Sequence, residues 1–219
     1  MKTTYLKWMF MLTSLFVTAN LYAQSGAIYT FYFKVDPLLT QYKKTERNTT
    51  ILSETSTGDA MPQELIDSIK IKTEEAFTER FKMPVKMCYH QNKKGEDVSS
   101  IGISGMLEGL PSNTFKGGKS DCPQNTRYIS LDVKIYPSGA ASVTTDAERA
   151  ALKPRFEMSA KVVDENNDYV WKQNVVLKDL EQLRSETKSY DNHKVTRSEV
   201  LSPSEIYTIY LKGLNMLLN

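Results

Sequence analysis

"FEMSAKVVDENNDYVWKQNVVL", residues 156–177, is the stretch on which the fold of this chain turns. Residues 156–163 alternate apolar and polar positions, the period of a half-buried strand. Residues 169–177 are rich in β-branched and aromatic side chains and read as a second strand. Between them Asp164, Asn166 and Asp168 take the spacing of the first three ligands of an EF-hand calcium loop. That loop also needs a glycine at its sixth position and a bidentate glutamate at its twelfth. Tyr169 and Val175 stand at those places. A bulky aromatic resists the positive φ of such a turn. The acidic run is therefore a hairpin connection in which Asn and Asp supply the turn conformations. Trp171 is expected to pack on the sheet as a core or edge anchor.

Working outward, "YISLDVKIYPSG" (128–139) alternates Ile129, Leu131, Val133 and Ile135 with polar residues and forms another half-buried strand, turned by Pro137-Ser138-Gly139. Residues 146–152 are read as a short helix before Pro154. "IYTFYFKV" (28–35) is a first strand; Tyr29, Phe31, Tyr32 and Phe33 suggest a central strand with core on both faces. Residues 38–60 are polar and Thr/Ser-rich, and read as an exposed connection. Pro62 suits a first helical turn. Leu65, Ile66, Ile69, Thr73, Ala76, Phe77 and Arg80/Phe81 then follow at helical spacing, up to Pro84. Residues 85–89, "VKMCY", return as a strand, and a parallel partnership with the first strand would require a right-handed crossover. The chain closes on "SPSEIYTIYLKGLNMLLN", where Ser202 and Glu205 form a capping box around Pro203. Ile206, Ile209, Tyr210, Leu214, Leu217 and Leu218 make its stripe, and Gly213 weakens the helix by about 1 kcal/mol relative to Ala. This order predicts an α+β domain: a mixed, mostly antiparallel sheet of about five strands, with two main helices on one face.

Residues 90–127 interrupt the pattern. They hold six of the ten glycines (Gly95, Gly102, Gly105, Gly109, Gly117 and Gly118) together with Ile101, Ile103, Met106, Leu107, Leu110 and Phe115. A structureless loop of that length is uncommon in a compact domain. A short helix around 104–110, a mobile lid or a docking segment would each account for it. Of the two cysteines, Cys88 precedes the insertion and Cys122 lies within it. An even count in an oxidising compartment favours a disulfide, which would stabilise by roughly 3–4 kcal/mol through its loop of about 33 residues. Two buried thiols, or a zinc site that uses His90 and Asp121, are the competing readings.

The first 23 residues carry Lys2 and Lys7, an apolar run from Trp8 to Val17 and a polar end at Ala23. That is the layout of a signal peptide, and the apolar run falls short of the roughly 20 residues that span a bilayer. The expected mature chain is a single exported domain, residues 24–219, with no transmembrane span. Without Lys2 and Lys7 the 28 basic residues fall to 26, equal to the 26 acidic ones. A neutral exported chain is not a nucleic-acid binder. The periplasm is the expected compartment, with the extracellular space as the alternative.

Catalytic motifs are incomplete. "GGKS" (117–120) lacks the upstream glycine of a phosphate loop, where Asn113 stands. "GISGM" (102–106) departs from the serine-nucleophile elbow, with Met106 in the last glycine's place. His90 and His193 are the two candidate bases, and His193 lies in a polar segment. No cofactor is called for. Paired carboxylates for glycoside hydrolysis are set by space rather than spacing, and most acids here, such as Glu74, Glu75 and Glu79, read as solvated helix faces.

The element order, with the hairpin "FEMSAKVVDENNDYVWKQNV", resembles small α+β periplasmic domains of Gram-negative envelope assembly proteins, of the curli-secretion and penicillin-binding-protein-activator kind. The likeness covers about 62–89 and 128–218. The chain departs from it by having no lipid-anchor cysteine and by carrying the insertion at 90–127. The resemblance implies an assembly role and assigns no functional residue. The expected function is thus a non-catalytic envelope or secreted binding protein that meets an envelope partner through residues 98–118. An exported hydrolase acting on glycan or peptidoglycan is the alternative.

Overall fold

The computed structural model describes residues 25–46, 49–55, 61–98, 118–122, 126–138, 149–190 and 193–219. The expected signal peptide lies outside the described residues.

β1 (Ser25–Val35) pairs in parallel with β7 (Thr126–Ser138) on one side and with β4 (Val85–Met87) on the other. β7 pairs antiparallel with β8 (Arg149–Val163), and β8 with β9 (Tyr169–Leu177). These five strands are the body of a mixed, mostly antiparallel sheet. β10 (Leu183–Tyr190) joins the first residues of β8 and carries β11 (His193–Ser198), making seven strands in this sheet among the described residues. A one-turn helix, α1 (Pro37–Thr40), and a hairpin, β2 (Gln41–Glu46) and β3 (Thr49–Thr55), occupy most of the stretch expected to be an open connection. Threonines, which favour strands, outweigh its polarity there. His193 likewise begins a strand inside a polar hairpin.

Two main helices cover one face: α2 (Gln63–Phe81) and α3 (Pro203–Leu218). Phe31, Phe33 and Val35 of β1, Ile129 to Ile135 of β7 at alternate positions, and Phe156, Met158, Ala160 and Val162 of β8 bury against them. Ile66, Ile69 and Phe77 answer from α2, and Ile206, Tyr210, Leu214 and Leu217 from α3. Trp171 is half-buried edge-on against Phe77 and Phe81. The capping box forms as expected: Ser202 accepts from the Glu205 N–H, and Glu205 reaches back to the Ser202 N–H (2.7 Å). Gly213 is more than a weak helix former. A Cβ there would lie 2.1 Å from Cε1 of the buried Phe156 ring, so the residue lets α3 approach β8.

Three expectations are corrected. Residues 149–152 are strand, not helix, because β8 runs straight through Pro154. Pro154 faces Pro137 across the ladder. Where two prolines face each other, the missing N–H groups point away from the pair, as in a non-hydrogen-bonded position. On those far sides β1 has ended at Val35 opposite Ile135, and β9 at Leu177 opposite Phe156, so neither proline costs a ladder bond. Second, β1 is central but has core on one face over its second half: Tyr32 is half-buried and Lys34 exposed. Third, the strand at 85–89 ends at Met87.

The hairpin turn is as read. Asn167 N–H donates to the Asp164 carbonyl (3.0 Å), Asn167 has φ 66°, and Asp164 Oδ1 accepts from the N–H groups of Asn166 and Asp168. This is a type I turn closed by a left-handed residue, a common three-residue hairpin loop.

Candidate functional site

The site is built on the sheet face opposite the helices. β1 carries one extra residue there: Ile28 pairs with Ile129 and Thr30 with Ser130, leaving Tyr29 unmatched. Such a bulge re-aims a side chain. The Tyr29 ring meets Tyr128 at 5.8 Å and His90 at 4.6 Å, both edge-on. His90 is fully buried. Its Nε2 lies 2.6 Å from the Tyr29 carbonyl oxygen, which can only accept, so Nε2 carries a hydrogen. Nδ1 is 3.1 Å from Ser120 Oγ. That contact has the form of a nucleophile–base pair. The serine oxygen, however, also lies 3.1 Å from Cys122 Sγ and accepts from the Cys122 N–H. With the imidazole sealed from solvent, the group ties three elements together.

Those elements form a closed neck. After β4, the Cys88 N–H donates to the Ile28 carbonyl (2.9 Å), and Cys88 is bridged to Cys122. The disulfide is thus formed, and neither cysteine is a thiolate for zinc. β5 (His90–Gln91) pairs on one side with β6 (Lys119–Ser120). On its other side Gln91 bridges to Asp97, and the Val98 N–H donates to the His90 carbonyl (2.7 Å). Tyr89 and Asp121 lock reciprocally: Tyr89 N–H donates to Asp121 Oδ1 (2.6 Å) and Asp121 N–H to the Tyr89 carbonyl (3.3 Å). Asn92 Oδ1 accepts from the N–H groups of Lys94 and Glu96 and shapes the turn at Gly95. Gly118, at φ 95°, passes so close to Gln91 that a Cβ would sit 1.9 Å from its carbonyl oxygen. Residues 98 and 119 therefore flank β5 on opposite sides, about two strand spacings or 10 Å apart.

Above the neck the sheet face is polar. The Lys134 Nζ–Asp132 Oδ2 distance is 2.9 Å and Arg155 Nη2–Glu157 Oε1 is 2.9 Å. Tyr136 OH donates to Glu157, and burial together with that bond pushes its phenol up from the ordinary value. The Asp132 hydrogen bond holds Lys134 in its charged form and raises its ammonium above the usual range. Lys134 also lies over the Tyr32 ring and Arg155 over the Tyr136 ring, each at 5.8 Å. Asp132 and Glu157 share this face on adjacent strands, and each carboxylate is spent on a cation. Sequence reading did not single out this group, although each member falls on a polar position of an alternating strand.

Of the expected site residues, Cys88 and Cys122 come together. Ile101, Ile103, Met106, Leu107, Leu110 and Phe115 lie outside the described residues, as does the expected helix at 104–110. Among the described residues no helix is long and apolar enough to cross a membrane.

No protein-family model matches the chain, and no curated protein matches it significantly. Among solved structures the chain is similar to a neuraminyllactose-binding hemagglutinin homolog from Helicobacter pylori. The TM-score is 0.35 and the identity 7%, over 87% of this chain and 76% of that one. A likeness of that degree carries neither fold nor function across.

Proposed function

We propose that the chain is an exported, non-catalytic binding or assembly protein of the cell envelope or its exterior, which touches its partner through residues 98–118. The observation that carries this reading is the closed neck. The disulfide and the strands on both sides of β5 fix the ends of the 99–117 segment to the sheet. Fixing the ends of a segment lowers the entropy it loses on binding. Binding residues concentrate on loops held by a rigid scaffold. Ile101, Ile103, Met106, Leu107, Leu110 and Phe115 are the apolar residues this segment offers a partner. The disulfide fits an oxidising compartment, which supports export by residues 1–23. An assembly role of the kind suggested by the resemblance to envelope domains falls within the same reading.

The test is purification of the tagged mature chain from its native envelope, with residues 99–117 intact or replaced by a Gly/Ser linker. One partner retained by the intact chain and lost with the linker supports the proposal. The same partners in both preparations, or none, would refute it.

A further inference from the structure

Two of the sheet's terminal strands, β4 and β9, are treated differently. At the β4 edge, the outward N–H groups of Val85 and Met87 donate to Thr78 Oγ1 (3.0 Å) and Glu74 Oε1 (2.7 Å), both on α2. Helix side chains thus occupy the donors that another strand would use, a way of blunting an edge.

At the β9 edge, that strand pairs with β8 alone among the described residues. Its free groups can be identified. Pro137 and Pro154 face each other in a non-hydrogen-bonded pair, so even-numbered residues of β8 direct their backbone groups away from β7. On that side Phe156, Met158, Ala160 and Val162 pair with Leu177, Val175, Gln173 and Trp171. The alternate residues Lys172, Asn174 and Val176 therefore point their N–H and C=O groups outward.

Charge narrows the occupant. Lys172 stands directly opposite Lys161, and both are exposed on the polar face. Like charges in that relation are destabilising. Neither lysine has an ion pair among the described residues, and β9 contains no acidic residue. A carboxylate supplied from outside would relieve the repulsion.

We infer that the β9 edge accepts an extended acidic segment of a partner protein, added as a further strand, with its carboxylates against Lys161 and Lys172. Main-chain bonds to residues 172, 174 and 176 supply affinity, and the alternate side chains supply selectivity. The inference uses none of residues 98–118 and stands or falls independently of the function proposed above.

The test uses the mature disulfide-intact chain and two capped peptides as long as β9 (9 residues), one alternating valine with glutamate and the other valine with lysine. Amide exchange is read by NMR. The glutamate peptide is expected to slow exchange at Lys172, Asn174 and Val176 by roughly tenfold or more. Gln173 and Val175 are already bonded to β8 and should change little. The lysine peptide should give no protection, and Lys161→Glu with Lys172→Glu should reverse the preference. Asn174→Pro removes an outward donor without touching the β8 ladder and should weaken binding. The inference is overturned if neither peptide protects these amides or if both do so equally. It is overturned also if protection grows with protein concentration alone, which would make a second copy the occupant.

Discussion

Gly213→Ala is expected to destabilise the protein, against the trend for a helix interior. Helix propensity alone predicts a gain of about 1 kcal/mol. The new methyl carbon would lie 2.1 Å from Phe156 Cε1 and 2.4 Å from Cζ. Phe156 is fully buried in β8, so its ring cannot swing into solvent. Overpacking a core typically costs about 1–3 kcal/mol, and two sub-van-der-Waals contacts with a rigid ring place this site toward the upper end. The net expectation is a loss of about 1–2 kcal/mol, or roughly 2–8 °C in Tm for a domain of this size. Urea unfolding measures it through the midpoint at constant slope. The cycle with Phe156→Leu separates packing from helix propensity: with the ring gone, Gly213→Ala should cost less or stabilise, giving a coupling of about 1 kcal/mol or more. A stabilising Gly213→Ala in the native background, or a coupling near zero, would refute the close approach of α3 to β8.

Removal of the disulfide by Cys88→Ala with Cys122→Ala should cost about 3–4 kcal/mol. Amide exchange should then accelerate at His90, Gln91, Lys119 and Ser120 before it does in α2 and α3. Tyr210 is fully buried with its hydroxyl on Thr73, and burial pushes its phenol well above the ordinary value. The unfolded chain therefore releases this proton first, and stability should fall as pH rises above about 10. Tyr210→Phe should flatten that fall in denaturation measured across alkaline pH. Ser202→Ala removes the capping box of α3 and should cost about 1 kcal/mol in thermal unfolding.

The elements with clean periodicity were legible in the sequence. Ile129, Leu131, Val133 and Ile135 on β7 and the Phe156–Val162 alternation on β8 specify a one-sided sheet, and both helices announce their stripes. What was hidden depends on partners in space. The bulge at Tyr29 shifts the phase of β1 by one residue, which an all-aromatic run conceals. Pro154 reads as a break until Pro137 is placed opposite it and neither flanking strand reaches that level. Gly213 reads as weakness until Phe156 is placed against it. For the site, Cys88 and Cys122 were legible as a pair from their even number and the expected oxidising compartment. The buried His90 tie to the Tyr29 carbonyl was not, since the two are 61 positions apart. The charged group on the open face was spread over two strands whose register no local pattern specifies.

The most direct measurement compares binding of three forms of the mature chain to a detergent-solubilised fraction of the native envelope. The forms are the intact chain, the chain with the 99–117 linker, and the Cys88→Ala, Cys122→Ala chain. The account predicts saturable binding by the intact chain, weaker binding when the neck is unbridged, and none with the linker. Equal binding by all three would contradict it.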